Sequence, residues 1–296
     1  MTVMQLKSIL CPIDFSEFSA AAYQYALSLA EYYKARIVDL HVVELWKYPF
    51  ADYAAQEADY ARFSRALCEG GEVQLQRFVK QYSAAGLQPE LMVHQGNAPR
   101  CILSVAQKEN MEVIVMGTHG RGGLDRLVLG STTDRVLRKA VCPVLVVSDP
   151  AHNALNAGPD GRHRLSRILY CTDFSNNSER ARSYAISLAA EYGAELVLLH
   201  VAQSPSDVAR AEEIIAEHAH ELDKLISETE RKTLKVRSAV RLGKPYGEIV
   251  RYATEGQASL IIMTARGGDA VDRAVFGSTT YRVIQLGPCP VLAIHT

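Results

Sequence analysis

Short apolar runs, each a few residues long, punctuate the first half of the chain: Ile9–Ile13, Ile37–Val43, Leu91–His94, Val113–Met116 and Pro143–Val147. Runs this short, apolar without alternation, read as strands buried on both faces of a sheet. Between them the apolar period changes to that of a helix. Ala22, Ala26, Leu29, Ala30 and Tyr33 fall on one helical stripe after the first run. A long polar helix is predicted over roughly 54–85, and further helices from Ala98 and from Ser131. Strand and helix alternating five times predict an α/β fold: an open, parallel, five-stranded sheet with right-handed crossovers and helices on both faces, Rossmann-like.

The pattern then occurs a second time. Ser8–Val42 reads SILCPIDFSEFSAAAYQYALSLAEYYKARIVDLHV, and Arg167–Val201 reads RILYCTDFSNNSERARSYAISLAAEYGAELVLLHV. Asp14 aligns with Asp173, Phe15 with Phe174 and His41 with His200, without a gap. The helical stripe returns as Ala181, Ala185, Leu188, Ala189 and Tyr192. A second block, Val113–Val147, aligns with Leu260–Ile294. Two ordered, ungapped matches identify a tandem duplication. The first domain is expected over 1–148 and the second over 166–296. The Pro-, Gly- and Asn-containing stretch 149–165 reads as a linker. A second long polar helix is expected over roughly 206–230.

Bulk composition narrows the partners. The 296 residues are 48% hydrophobic and 22% charged, enough apolar material for two cores. Thirty-two basic residues against 33 acidic leave a net charge of −1, and no basic run stands out. Nucleic acid and anionic membrane are therefore disfavoured as partners. The absence of a leader-like start or a long apolar run gives the expectation of a cytoplasmic protein. The six cysteines form no CxxC pair and read as buried, reduced thiols. His218 and His220, two apart on a helix, point to different faces, so no metal site is expected there.

Candidate chemistry gathers at strand ends, where open parallel sheets bind ligands. Asp14 closes the first strand and Gly117 the fourth, followed by Thr-His-Gly-Arg-Gly-Gly and then by Gly130-Ser131-Thr132-Thr133 opening a helix. Glycines let backbone N–H groups approach an anion, and a helix start with Ser131 as its expected N-cap attracts phosphate. A strand-end carboxylate suits ribose hydroxyls. Neither a Walker lysine nor the last glycine of a dinucleotide fingerprint is present. His119 and Arg121 in the loop read as contacts to phosphate or solvent rather than as catalytic groups. Arg126 and Arg273 read as local ion pairs with Asp125 and Asp272.

At these residues the chain resembles the universal stress protein family in its tandem form, over nearly all of both copies. The ATP-binding subgroup of that family carries Gly, two residues, Gly, nine residues, then Gly-Ser/Thr. Gly117, Gly120, Gly130 and Ser131 fit that spacing. The resemblance implies an adenine nucleotide α-hydrolase-like fold and ATP, with a magnesium or manganese ion, as cofactor. It implies that Ile13, Asp14 and Val42 line the adenine and ribose, and that Met116, Gly117, His119 and Gly120 flank sugar and phosphates. Gly130, Ser131, Thr132 and Thr133 would hold the phosphates. The matching positions of the second copy are Asp173, Val201, Gly267, Gly277, Ser278 and Thr279, but Thr264 replaces the first glycine. If that position needs positive φ or close approach to nucleotide, the second copy binds weakly or not at all.

Function is accordingly expected to be that of a cytoplasmic, ATP-responsive binding module of a stress response, with an unidentified protein partner. The alternative is a slow ATPase or nucleotidyl-transfer enzyme of the same fold group. No water-positioning base or paired metal carboxylates accompany the loop, which favours the module.

The last strands, VCPVLVV and PCPVLAI, carry an architectural prediction. Apolar edges that stayed exposed would pair with other chains. They are expected to pair with each other, making an intrachain pseudo-dimer, with a homodimer as the further assembly. Cysteines placed on the two strands should cross-link within one chain; cross-links formed only between chains would overturn this.

Overall fold

The computed structural model describes residues 6–47, 57–82, 87–118, 129–148, 165–204, 208–265 and 276–295. Its contacts divide the chain into two compact units, one built on Leu6–Val144 and the other on Leu145–Thr296.

In the first copy β1 (Ser8–Pro12), α1 (Glu17–Tyr33) and β2 (Arg36–Val43) are followed by a 3₁₀ turn at Leu45–Lys47 and by α2 (Glu57–Tyr82). Then come β3 (Glu90–Gln95), α3 (Ala98–Lys108), β4 (Val113–Gly117), α4 (Ser131–Lys139) and β5 (Val144–Val147). The strand order is β3-β2-β1-β4-β5. Pairing is parallel, with Ile9 against Ile37 on one side of β1 and against Val113 on the other.

The second copy repeats the scheme. It comprises β6 (Arg167–Thr172), α5 (Ser178–Tyr192), β7 (Glu195–Ala202), α6 (Val208–Lys224) and α7 (Glu228–Thr233). These are followed by β8 (Lys235–Leu242), α8 (Pro245–Glu255), β9 (Leu260–Thr264), α9 (Ser278–Leu286) and β10 (Val291–Ile294). Its order is β8-β7-β6-β9-β10, with parallel registers throughout. The expected five-stranded parallel sheet is present in each copy.

Local chemistry explains the departures from expectation. The last strands begin one residue late, because Pro143 and Pro290 have no N–H to give a neighbour. Their carbonyls still accept, from Ile114 and Ile261, each at 3.0 Å. The expected single helix over 206–230 is two helices. Ser227 stops the first by starting the second: its hydroxyl accepts from Glu230 N–H, and the Glu230 carboxylate accepts from Ser227 N–H at 2.7 Å. That capping box satisfies two amides that a continuous helix would bond elsewhere. Residues 54–56 and 83–85, expected at the ends of the first long helix, lie outside the described residues. Among the described residues no helix is long and apolar enough to cross a membrane.

The sheets supply the cores. Ile9, Leu10, Val38, Leu40, Ile114 and Val115 are wholly buried, and so are Ile168, Leu196, Leu198, Ile261 and Ile262 in the second copy. The alanines of α1, Ala22, Ala26 and Ala30, are wholly buried as well, so the helix rests on its backbone rather than on long side chains. All six cysteines are free thiols; Cys11, Cys142, Cys171 and Cys289 are buried as expected, whereas Cys68 and Cys101 are only half-buried.

One core residue breaks the pattern. Asp39, in the middle of β2, is wholly buried and pairs in register with Cys11. Leu198 stands at the same position of the second copy. Burial pushes the Asp39 carboxyl up to about 7, and the Tyr23 hydroxyl opposes this only in part. Between its ordinary value and about 7 the folded chain keeps a proton that the unfolded chain has lost. Stability therefore falls as pH rises through this window. From pH 5 to pH 8 this group should cost the first copy about 2–3 kcal/mol. Asp39→Asn should remove that slope, measured by urea unfolding at the two pH values; equal slopes in variant and wild type would refute it.

Candidate nucleotide site

The chain reverses its direction of travel across the sheet between β1 and β4, and the carboxyl ends of these neighbouring strands are where open parallel sheets place a ligand crevice. Two turns, one from each strand, form its walls.

The first wall follows β1. Ile13 is buried and bonds through its N–H to Leu40 O at 2.8 Å. Asp14, half-buried, accepts at Oδ1 from Ser16 N–H (3.0 Å) and from Ser16 Oγ (2.6 Å). Ser16 Oγ in turn accepts from Ser19 N–H at 3.1 Å and so caps α1. The carboxylate thus builds the turn that presents it. Phe15 is held at φ 64°, a left-handed conformation that a bulky residue adopts only under constraint. Its ring lies 4.5 Å from His41 and 5.7 Å from Phe78, centroid to centroid. His41 Nδ1 is 2.8 Å from Ile13 O; a carbonyl can only accept, so Nδ1 carries the proton. Beside this turn a groove of about 390 Å³ opens between α1 and α2, lined by Phe15, Ser16, Arg77, Phe78 and Tyr82 among others.

The same wall stands in the second copy. Ser175 N–H and Oγ donate to Asp173 Oδ1 at 3.1 and 2.6 Å, Phe174 sits at φ 59°, and His200 Nδ1 meets Thr172 O at 2.9 Å. Here His218 stacks on His200 at 4.6 Å with planes 6° apart. Burial lowers the His200 pKa; the bond to Thr172 O opposes this and the neighbouring His218 adds to it. In the sequence Phe15, His41 and their counterparts serve only as alignment anchors. Their appearance in both copies was the signal that they build something.

The second wall joins β4 to α4. Gly130 N–H donates to Thr118 O at 2.8 Å, and the buried Thr133 hydroxyl donates to Gly117 O at 2.8 Å. These two bonds close the loop at its base. They also correct two expectations. The N-cap is Gly130, not Ser131, which is the first residue of the helix; no side chain caps α4. Thr133, expected at the phosphates, points into the fold and clamps the strand end. Gly130 offers no side chain to the amides of the first turn, the arrangement that an anion satisfies.

Gly117 also has a different reason to be glycine. It is not among the residues with positive φ. A Cβ on it would lie 2.8 Å from the backbone carbon, the oxygen and the Cβ of Phe18 in α1. The close approach of Phe18 in α1 is by itself reason enough for a glycine here.

Of the remaining sequence-derived residues, Met116 is buried, Val42 and Thr132 are half-buried, and Ser131 is exposed. In the second copy Val201, Gly277 and Thr279 are half-buried, whereas Asp173 and Ser278 are exposed. Thr264 is buried. The second-copy clamp is intact, Thr280 Oγ1 donating to Thr264 O at 2.8 Å and Gly277 N–H to Ala265 O at 3.0 Å. His119, Gly120 and Arg121, with Gly267, lie outside the described residues, as do Asp125, Arg126, Asp272 and Arg273.

A model of the universal stress protein family matches this chain twice, over residues 5–148 and 165–295. A universal stress protein of Methanocaldococcus jannaschii is 34% identical over 144 residues, covering 49% of this chain and 83% of its own. One from Mycolicibacterium smegmatis is 27% identical over 297 residues, covering 97% of this chain and 96% of its own. A crystal structure of a universal stress protein from Archaeoglobus fulgidus superposes with a TM-score of 0.70 at 23% identity, covering 99% of both chains.

The clamp yields a stability test. Thr133→Val keeps shape but removes the donor, leaving Gly117 O unpaired in the interior. It should cost about 1–3 kcal/mol in chemical unfolding, and Thr280→Val should cost the second copy as much. A loss near zero for both would show that the loop base does not depend on these bonds.

Proposed function

Since the chain belongs to the universal stress protein family, we propose that its first copy binds ATP in the crevice between β1 and β4 and acts as a nucleotide-responsive module of a stress response. One observation carries the reading: α4 begins at a glycine without a side-chain cap, in the connection after β4, and β4 neighbours β1, which Asp14 follows. A phosphate satisfies the amides of that helix start and the helix dipole together. Asp14 takes the ribose hydroxyls, with Ile13, Val42 and Met116 around the base and sugar. His119, Gly120, Ser131 and Thr132 complete the phosphate side, joined by Gly117 and Gly130 through their backbone.

A magnesium or manganese ion accompanying the nucleotide would be held by phosphate oxygens and water. Among the described residues no three His, Cys, Asp or Glu side chains gather as a metal cage. Residues 1–148 and 166–296 serve as the two domains, joined by 149–165, in the cytoplasm. Asp173, Val201, Gly267, Gly277, Ser278 and Thr279 form the matching but weaker second site. The protein partner would read the state of the first.

Calorimetry on the purified chain tests this. Gly130→Val should lower ATP affinity about ten- to a hundredfold by blocking approach to the backbone. Asp14→Asn, which retains an oxygen for the Ser16 turn, should lower it by about tenfold through the lost charge. Unchanged affinity in Gly130→Val would remove this site from consideration. Multiple-turnover phosphate release that disappears in His119→Ala would favour the enzyme instead.

A further inference from the structure

The Asp-Phe-Ser turn after the first strand is the same in both copies, although much around it differs. Asp14 and Asp173 each accept from the N–H and the hydroxyl of the serine two residues on, and Phe15 and Phe174 sit at φ 64° and 59°. Yet the helix that follows starts at Glu17 in one copy and at Ser178, two residues later in register, in the other. The fourth strand ends in Gly117 in one and in Thr264 in the other. What sets the turn is therefore something that the copies share.

The Asp–Ser bonds are shared, but they lie inside the turn and travel with it. The hydroxyls of Ser19 and Ser178, which donate to Ser16 O at 3.0 Å and Ser175 O at 2.5 Å, tie its far end to the helix. Only one shared side chain ties it to the sheet. His41 Nδ1–H donates to Ile13 O at 2.8 Å and His200 Nδ1–H to Thr172 O at 2.9 Å, each carbonyl belonging to the residue before the aspartate. The same imidazole lies against the residue after it, 4.5 Å from the Phe15 ring and 4.4 Å from the Phe174 ring, centroid to centroid. One side chain thus grips both flanks of the carboxylate, and a left-handed phenylalanine persists only where its surroundings over-determine it.

The grip is firm because its root is. His41 stands on β2, which is paired with β1 and β3, and the residue before it, Leu40, accepts from Ile13 N–H at 2.8 Å. The imidazole is also confined from the helix side, by different chemistry in each copy. In the first, α2 passes so close that a Cβ on Gly71 would lie 3.2 Å from His41 Cδ2. In the second, His218 of α6 stacks on His200 at 4.6 Å. The bond to the strand-end carbonyl is what remains common.

We infer that His41 is a positioning residue for ribose recognition: its Nδ1–H, fastened to Ile13 O, holds the turn where the Asp14 carboxylate meets the ribose hydroxyls. His200 places Asp173 in the same way. The ribose half of this inference rests on the nucleotide site proposed above; the placement of the turn does not.

The test uses the full chain with ATP and with 2′,3′-dideoxy-ATP, which lacks the hydroxyls assigned to Asp14. Wild type should prefer ATP by about tenfold, the worth of hydrogen bonds to an ionised acceptor. His41→Phe keeps a ring against Phe15 but has no proton for Ile13 O. It should bring the preference close to one while changing dideoxy-ATP affinity by less than about twofold. His41→Asn carries an amide N–H where Nδ1 stands and should restore the preference. Without any ligand, the HN–Hα coupling and backbone shifts of Phe15 report its left-handed φ. They should average toward extended values in His41→Phe and hold in His41→Asn, and Phe174 should respond alike to His200→Phe and His200→Asn. A His41→Phe chain that prefers ATP as strongly as wild type overturns the inference, and so does one that weakens both ligands equally. Asparagine variants that behave as the phenylalanine variants do overturn it too, as do left-handed signals untouched in His41→Phe and His200→Phe. A wild type without preference for ATP sinks the ribose assignment, and the Phe15 and Phe174 signals still decide whether the histidine places the turn.

Discussion

Helix α1 lies on the sheet more closely than any side chain at the end of β4 would permit. The alanines along its inner face bring it there, and Gly117 completes the approach under Phe18. Above that contact lie the start of α1 at Glu17 and the capping by Ser16. The Asp14 turn between strand and helix recurs with the same bonds in the second copy, where Thr264 stands in place of the glycine. The other wall of the crevice, the start of α4, is tied to the same strand end through Thr133. Packing in the interior and geometry at the surface therefore meet at the end of β4.

The strand–helix alternation and the duplication were legible in the sequence because both rest on periodic apolar burial, which a linear string displays directly. Ile9–Ile13 and Ile37–Val43 needed no partner to be recognised. The position of the Gly-Ser helix start was legible for the same local reason. What escaped was through-space. Nothing adjacent to Gly117 in the chain reveals that Phe18 presses on it, and the positive φ considered for this position is absent. Thr132 and Thr133 look alike in sequence, yet a helical turn sends only the second inward to the strand-end carbonyl. The break at Ser227 carried a readable capping signature, Ser-x-x-Glu, that the long polar pattern around it concealed.

Divergence after duplication has worked most freely where each copy can absorb it alone. Asp39, Cys11 and Tyr23 sit together in one core, and their counterparts in the other are Leu198, Tyr170 and Arg182. Tyr170 places its hydroxyl on Ser178 O at 2.8 Å, so the second copy satisfies a buried polar group that its helix start itself provides. The first copy instead buries a carboxyl and gives up stability as the medium becomes less acidic. The walls of the crevice changed far less, with the Asp-Phe-Ser turn, its left-handed phenylalanine and its histidine retained in both.

The paired bonds at the base of the glycine loop have a consequence for how such a protein can change. In each copy a backbone bond and a threonine hydroxyl fasten the two ends of the loop to one another. The intervening sequences, beginning His119 in one copy and Arg266 in the other, differ, while the bonds at their ends are the same. A frame closed at its base lets selection rewrite the sequence it carries at little risk to the scaffold that presents it.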